Sequence, residues 1–487
     1  MKTPRRILAL SLFLLFCRIQ TSHANEWADT IERLKPTVVN LEVTTLVNLG
    51  FDEAGTRDGT GFIVDAERGI VATNRHLTST SPARVKITFI DGSSVEGKVL
   101  YYDYYHDFAF VQFDVSAVTT DLQEVRPGSS FALRPQQSLL LIGNNEKEEY
   151  SVKIGMVVNL NTEKGDRHSE AIHTSFDRTG GASGSPVFNQ QEQVVGIHFA
   201  GTDTSSFELP VEYLTDALRA IRNGNVPPRG DIGVELRYVN LDDAILHADM
   251  SDAYRAVYKE EFPASTKVVQ IHRIIPASPA EHVLKPGDII WSADDHLIGD
   301  NLYLFDKVVD QHAHGIIAIT VLRRNKAVTV ALPVQGLEDE KINKFALFGG
   351  GTIQDITAEL RRKLNYRGPG VFMNQVQIGS TLSSLGVYDN KDPASRRVII
   401  RELDGQEVKN LEDFIRAAQC MAHGTHTTVI YQDLLSVNTA PEVRHVSFDL
   451  MLTELRIFEL DEDSRKWEEV PKEPCAVTVG HSVSRED

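Results

Sequence analysis

The feature that most constrains this chain is a succession of short apolar runs, with little helical periodicity, that fills residues 36–212. Val38 to Val47, Gly61 to Asp65, Gly69 to Thr73, Val85 to Phe89, Val95 to Leu100, Phe108 to Phe113, Leu139 to Ile142 and Val194 to His198 are mostly β-branched, aliphatic or aromatic, and Gly, Asp and Asn separate them. Many short strands at this spacing point to a β-sandwich or a pair of barrels. The pattern then switches. Leu214, Leu218 and Ile221 fall at helical spacing, Gly224 is placed to end that helix, and Val226-Pro227-Pro228-Arg229-Gly230 follows as a stiff linker.

Beyond the linker the sequence repeats itself weakly, which argues for tandem modules. The first copy runs from Asp231-Ile232-Gly233-Val234 through Val268 to Ile271 and Ala277 to Ala280 to Leu284-Lys285-Pro286-Gly287-Asp288-Ile289-Ile290. The second runs from Phe345 to Gly349 through Gly370 to Met373 and Gly379-Ser380 to Val398-Ile399-Ile400 and Leu403 to Gln406. Each then carries an amphipathic helix, Leu302 to His312 and Leu411 to Cys420, and a further strand. The expected units are therefore 25–225, 229–335 and 343–455, with a charged segment 456–487 that reads as a short appended strand or a loose tail.

Residues 1–24 have a different character: Lys2, Arg5 and Arg6 precede the apolar run Ile7 to Cys17, and Ser22-His23-Ala24 offers small residues for cleavage. That run is well short of the roughly 20 residues that span a bilayer, so a secretory leader is expected, and with it a periplasmic or otherwise secreted protein. The whole chain carries a formal charge of −18, and the leader contributes four of its basic residues. So acidic a surface repels nucleic acid and anionic membrane, and no stable membrane insertion is expected after cleavage. Beyond the leader only Cys420 and Cys475 remain, too few for a disulfide framework, and their pairing is not legible in the sequence. Neither a zinc-spaced Cys/His cluster nor a phosphate loop is present, so no cofactor or metal is expected.

One stretch, Thr179-Gly180-Gly181-Ala182-Ser183-Gly184-Ser185-Pro186, sets a serine between glycines. A serine hydroxyl is a poor nucleophile at neutral pH and needs a base within hydrogen-bond reach and a third group to orient that base. Both stand upstream: His76 follows the apolar strand that ends in Thr73-Asn74, and Asp107 opens the apolar run at Phe108. The order His76, Asp107, Ser183 on β-rich architecture is the chymotrypsin-like solution. The backbone N–H groups of Gly181 and Ser183 are then the candidate oxyanion donors, with glycine permitting the strained turn that aims them. His106 is a rival base and Ser185 a rival nucleophile, but a serine directly before proline reads as part of the turn.

Thr73-Asn74-Arg75-His76-Leu77, Asp107-Phe108-Ala109 and Gly181-Ala182-Ser183-Gly184-Ser185-Pro186 resemble the three active-site motifs of the HtrA/Deg family of secreted serine proteases. Gly59-Thr60-Gly61-Phe62-Ile63 and Arg229-Gly230-Asp231-Ile232-Gly233-Val234 are similar to that family too. Ser185, Gly180-Gly181 and Phe207-Glu208-Leu209-Pro210 resemble the branch typified by plant and fungal Deg proteases and their bacterial relatives. The resemblance spans about residues 36–450. It implies a mainly β protein, a chymotrypsin-like double β-barrel followed by two α+β PDZ domains, acting as an ATP-independent serine endopeptidase on unfolded or damaged envelope proteins.

By the same resemblance the modules take peptide C-termini as an added strand, with backbone N–H groups holding the carboxylate. Asp231, Ile232, Gly233 and Val234 would be the carboxylate loop of the first and Leu347-Phe348-Gly349-Gly350-Gly351 that of the second, where the pattern departs from the usual one. The resemblance also implies a homo-oligomer, commonly a trimer. Trp27, Ile31 and Leu34 are either its apolar contacts or a surface helix packed on its own barrel. Asp177, six residues before Ser183, stands where chymotrypsin-like enzymes build the specificity pocket, and an acid there would favour Lys or Arg before the cut. The rival reading from another class is a peptide-binding chaperone or scaffold with a latent or inactive protease domain.

Overall fold

In the computed structural model the residues described are 27–145, 148–164, 169–177, 181–246, 250–385, 398–434, 440–462 and 464–474. The expected leader, Gly180 and Cys475 lie outside them. Six strands, β1 (Val38–Thr45), β2 (Gly55–Asp65), β3 (Ile70–Thr73), β4 (Ala83–Thr88), β5 (Ser94–Tyr102) and β6 (Ala109–Phe113), close into a barrel in the order β1-β2-β3-β6-β5-β4. A second sheet contains β7 (Arg126–Pro127), β8 (Ser138–Asn145), β9 (Glu148–Lys164), β10 (Ser169–Thr174), β11 (Pro186–Phe188), β12 (Gln193–Thr202) and β13 (Ser205–Pro210). Its order is β11-β8-β9-β10-β13-β12-β7, and the extra pairing of β11 with β12 curls it into the second barrel. The apolar alternation is used as expected: Val39, Leu41, Ile63, Val71, Val85, Ile87 and Val111 fill the first barrel, and Leu139, Leu141, Val157, Ile172, Val187 and Val195 the second.

The helix Val211–Arg222 lays Val211, Leu214 and Leu218 against Phe62 and Phe110, so it seals the seam between the barrels. Gly224 ends it at φ +77°, where its own N–H reaches the carbonyl of Ile221. The helix Ala28–Leu34 lies on the same seam. Trp27 and Leu34 are buried with Val125, Phe188 and Val194, and Arg33 pairs with Glu192. Two of the three N-terminal apolar residues are thus spent within the chain.

Each repeat is an antiparallel sheet with one helix across it. In the first, strands Val234–Asn240, Lys267–Ile274, Ile289–Ala293, Ile316–Arg323 and Lys326–Pro333 lie in that spatial order, and Val234–Asn240 is the sheet edge. In the second, the strand Gly351–Asp355 has a neighbour on both sides: Val371–Val376 on one and Lys344–Phe348 on the other. The sheet then continues through Arg456–Asp461 to Lys466–Val470, so residues 456–470 enter it. The crossing helices Leu302–Gln311 and Leu411–Ala418 are both capped by asparagine, Asn301 accepting from the Leu304 amide and Asn410 from the Asp413 amide. Among the described residues no helix is long and apolar enough to cross a bilayer.

Candidate active site

His76 and Asp107 meet because β3 and β6 are antiparallel neighbours, with Thr73 opposite Ala109, so the segments leaving and entering these strands share one barrel rim. Asp107 grips His76 twice, accepting from its backbone N–H at 2.9 Å and facing its Nδ1 at 2.6 Å. The side-chain amide of Asn74 donates to the Asp107 carbonyl at 2.8 Å and fixes the loop. A carboxylate on Nδ1 selects the tautomer whose Nε2 is the free base. Burial alone would lower the His76 pKa, but the Asp107 charge and hydrogen bond outweigh it and hold the value above the ordinary 6.5. Burial likewise pushes Asp107 upward, and the imidazole, the hydrogen bonds and Arg75 bring it below the usual carboxylate range. The imidazole remains accessible, its side chain 42% exposed.

Ser183 is carried on the turn between β10 and β11 and is half-buried. Thr60, on β2, holds that turn to the first barrel: its N–H donates to the Ser183 carbonyl at 2.9 Å and its hydroxyl to the Gly181 carbonyl at 3.0 Å. The Thr60 carbonyl in turn accepts from the Thr73 hydroxyl at 2.7 Å, three residues before His76. One buried threonine thus ties the serine turn to the histidine strand. Gly184 sits at φ +83°, and a Cβ there would meet the Thr60 carbonyl at 2.1 Å, so both conformation and contact demand glycine. Among the described residues the amides of Gly181 and Ser183 donate to no protein acceptor, which leaves them free for an oxyanion. Nor does the Ser183 hydroxyl hydrogen-bond to His76 here; catalytic hydrogen bonds of this kind commonly tighten only when substrate is bound.

The rival residues have other positions. Ser185 is fully buried, its hydroxyl against Gly143. His106 is buried beneath Tyr213, 3.6 Å from Asp306 of the first repeat. Asp177 is exposed, and the ammonium of Lys153 donates to its backbone carbonyl at 2.6 Å. In the first repeat Ile232 and Val234 are buried, while the amide of Gly233 is taken by the Asp231 carboxylate at 2.6 Å. In the second, Gly349 and Gly350 at φ +57° and +85° form a two-residue hairpin turn between Phe348 and Gly351. That turn folds Lys344–Phe348 onto the edge an added strand would use.

Residues 59–197 match the model of the trypsin-like peptidase domain and residues 341–422 that of the PDZ-like domain. The chain is 24% identical over 436 residues to a pro-apoptotic serine protease NMA111 of Debaryomyces hansenii, covering 87% of this chain and 43% of the relative. To the protein of the same name from Eremothecium gossypii it is 25% identical over 464 residues, covering 92% and 46%. These matches support a serine protease of the HtrA/Deg kind. The chain spans less than half the length of the curated relatives it matches. Among solved structures, the HtrA-type protease AlgW with tripeptide is 21% identical, with a TM-score of 0.48 over 64% of this chain and 97% of that one. A serine endoprotease from Yersinia pestis is 18% identical, with a TM-score of 0.43 over 63% and 96%.

Two features of the site escape a reading of the sequence. Thr60 stands out in it only as part of a glycine-flanked run, yet it links the Ser183 turn to the strand before His76. The other is a third side to the cleft. Arg75 Nη2 lies 3.4 Å from Glu359 Oε1, on the helix Ala358–Leu364 of the second repeat, 284 residues away. No local pattern signals such a pair.

Proposed function

We propose that this HtrA/Deg chain is an ATP-independent serine endopeptidase that cuts unfolded or damaged polypeptides in the cell envelope or another secreted compartment. The observation that carries the reading is the His76–Asp107 pair, held in one tautomer at a barrel rim to which Thr60 binds the Ser183 turn. In this mechanism Ser183 attacks the scissile carbonyl, His76 Nε2 takes its proton and returns it to the leaving amine, and Asp107 orients the imidazole and offsets its charge. The amides of Gly181 and Ser183 receive the oxyanion.

The secreted location rests on the leader-like segment, in which Lys2, Arg5 and Arg6 precede the short apolar run Ile7 to Cys17. Capture of peptide C-termini falls to the first repeat, whose strand Val234–Asn240 is a sheet edge. Homo-oligomeric assembly belongs to the same reading, by family likeness.

The test is casein hydrolysis by the unaltered chain and by Ser183→Ala. Cleavage by the first and a loss of about 10⁶-fold in the second is expected. Equal cleavage by both removes Ser183 from the mechanism, and cleavage by neither favours the chaperone or scaffold reading.

A further inference from the structure

The loop between β5 and β6, residues 103–108, delivers Asp107 to the site, and a buried carboxylate within the loop shapes it. Asp103 Oδ1 accepts from the Tyr105 amide at 2.9 Å and from the His106 amide at 2.7 Å, and its Oδ2 accepts from the Tyr101 hydroxyl at 2.9 Å. Its own N–H donates to the Phe108 carbonyl at 2.9 Å. The residues on both sides of Asp107 are therefore tied to Asp103. The loop contains neither Gly nor Pro, the residues that shape a turn by backbone preference, so its conformation rests on these bonds.

A fully buried carboxylate is costly unless a cation faces it, and the cation that faces Asp103 comes from outside the barrel. Arg229 Nε, on the linker, lies 2.5 Å from Asp103 Oδ2, and both side chains are buried. Burial pushes the Asp103 pKa up, and the charges of Arg229 and His106, with the hydrogen bonds, bring it below the usual carboxylate range. The same guanidinium binds Asp310 on the helix Leu302–Gln311 through Nη1, so its rigid fork serves two carboxylates at once. The other groups that face this loop are Tyr101 on β5, Arg75 beside His76 and Asp306, 3.6 Å from His106 Nε2. Those that face His76 itself are Asp107, Arg75 and Arg57.

We propose that Asp103 and Arg229 are positioning residues for the catalytic acid: Arg229 anchors Asp103, Asp103 holds the loop, and the loop sets Asp107 on His76. Neither residue touches the substrate or the reacting atoms. The proposal rests on the endopeptidase reading for the role of Asp107 and extends the site to a residue of the linker. Without Arg229 the loop slackens and Asp107 loses its grip on Nδ1, so the effect that raises the His76 pKa weakens. The sign is diagnostic. Removing a cation with the geometry unchanged favours the imidazolium and moves the His76 midpoint to higher pH, whereas a slackened Asp107 moves it to lower pH.

The experiment uses the full chain carrying Ser183→Ala, with histidine isotopically labelled at Cε1, and follows the His76 imidazole by NMR through a pH titration. The resonance is assigned by its loss in His76→Gln. Arg229→Met is expected to lower the midpoint. Asp216→Asn weakens a different contact between the barrels and the first repeat, where Asp216 lies 2.9 Å from Lys307 Nζ and accepts from the Tyr303 hydroxyl at 2.5 Å; it is expected to leave the midpoint in place. A midpoint that stays or rises in Arg229→Met, or that Asp216→Asn lowers as far, overturns the proposal. Melting curves confirm that each variant is folded, and if Arg229→Met is not, Asp103→Asn in the chain that keeps Ser183 decides the matter. Its kcat on labelled casein, taken on the plateau above the acid limb, is expected to fall about 10²-fold with KM unchanged, the loss that a displacement of about 1 Å can cause. Loss of the charge alone shifts the limb and spares the plateau, so an unchanged plateau also overturns the proposal. Failure of the endopeptidase reading shows separately, as unaltered chain that leaves casein intact while the His76 midpoint still reports on Asp107.

Discussion

At the scale of single residues, the site is a contest between burial and charge, and at His76 charge prevails. Because Asp107 holds the imidazole pKa above its ordinary 6.5, and only the unprotonated ring accepts the Ser183 proton, the acid limb of kcat/KM is expected above pH 6.5. Replacing Asp107 by Asn removes the charge and leaves a side chain that no longer selects the tautomer. The expected outcome is a fall of about 10⁴-fold in kcat, the loss seen when a serine-protease triad is altered in this way. The acid limb also moves to lower pH, since the opposing effect of burial is left uncompensated. A full pH–rate profile of Asp107→Asn measures both, and a limb that stays in place would falsify the assigned cause. Of these residues the sequence shows the chemistry but not the grip. His76, Asp107 and Ser183 are visible because nucleophilic catalysis calls for those types in a β-rich frame. Thr60 and Thr73 are not, because a hydroxyl that bonds a backbone carbonyl across 13 residues looks in sequence like any strand threonine.

At the scale of elements, legibility follows periodicity. The strands that fill the first barrel are apolar enough to be seen, and the helix Val211–Arg222 shows its seam-facing stripe. The longest strand, β9, does not: its 17 residues include five Lys or Glu and bury few of their side chains fully. Its pairing with β8 and β10 holds it in the sheet, a property of the fold and not of its composition. The second repeat gives the converse case. Glycines 349 to 351 suggest a carboxylate loop, but two successive positive φ values make a hairpin instead. Glycine is also where an element-scale prediction is sharpest. Gly184→Ala introduces a Cβ at 2.1 Å from the Thr60 carbonyl, whereas Gly92 has the same φ of +83° with nothing within 4 Å. Gly92→Ala is expected to cost about 1 kcal/mol from backbone strain alone. Gly184→Ala is expected to cost about 2–4 kcal/mol, adding overpacking to the strain, and to abolish casein cleavage because the turn cannot stay on Thr60. Chemical denaturation of the two variants separates the terms, and equal losses would refute the steric part.

At the scale of the whole molecule, the linker is a clamp. Composition reads Val226 to Gly230 as a stiff spacer, yet Arg229 is buried, bound to Asp103 of the first barrel and Asp310 of the first repeat. Around it, Tyr213 donates to Asp306 at 2.9 Å, and Glu170 accepts from the Tyr303 amide at 3.0 Å. Contacts between residues this far apart in the chain leave no trace in sequence, so domain order is legible and domain docking is not. The docking has a consequence for pH. Burial pushes Glu170 up to about 8, with Asp306 and Asp300 adding to it and the hydrogen bonds from Tyr303 and Tyr238 opposing. A carboxyl group whose folded pKa lies above its unfolded value of 4.5 binds its proton more tightly when folded. Its contribution is therefore fully present below pH 4.5 and is lost progressively as the pH rises from there through about 8. Glu170→Gln keeps a neutral group in the same place and has nothing to ionise. Measured in the Ser183→Ala background to prevent self-digestion, the two proteins are expected to have similar stability near pH 5. By pH 9 the Gln variant should be the more stable, by an amount on the order of a few kcal/mol. Denaturation midpoints taken at intervals from pH 5 to 9 test this through their difference, in which every other titrating group cancels; a difference that stays flat across the range means that Glu170 is not held protonated at the interface.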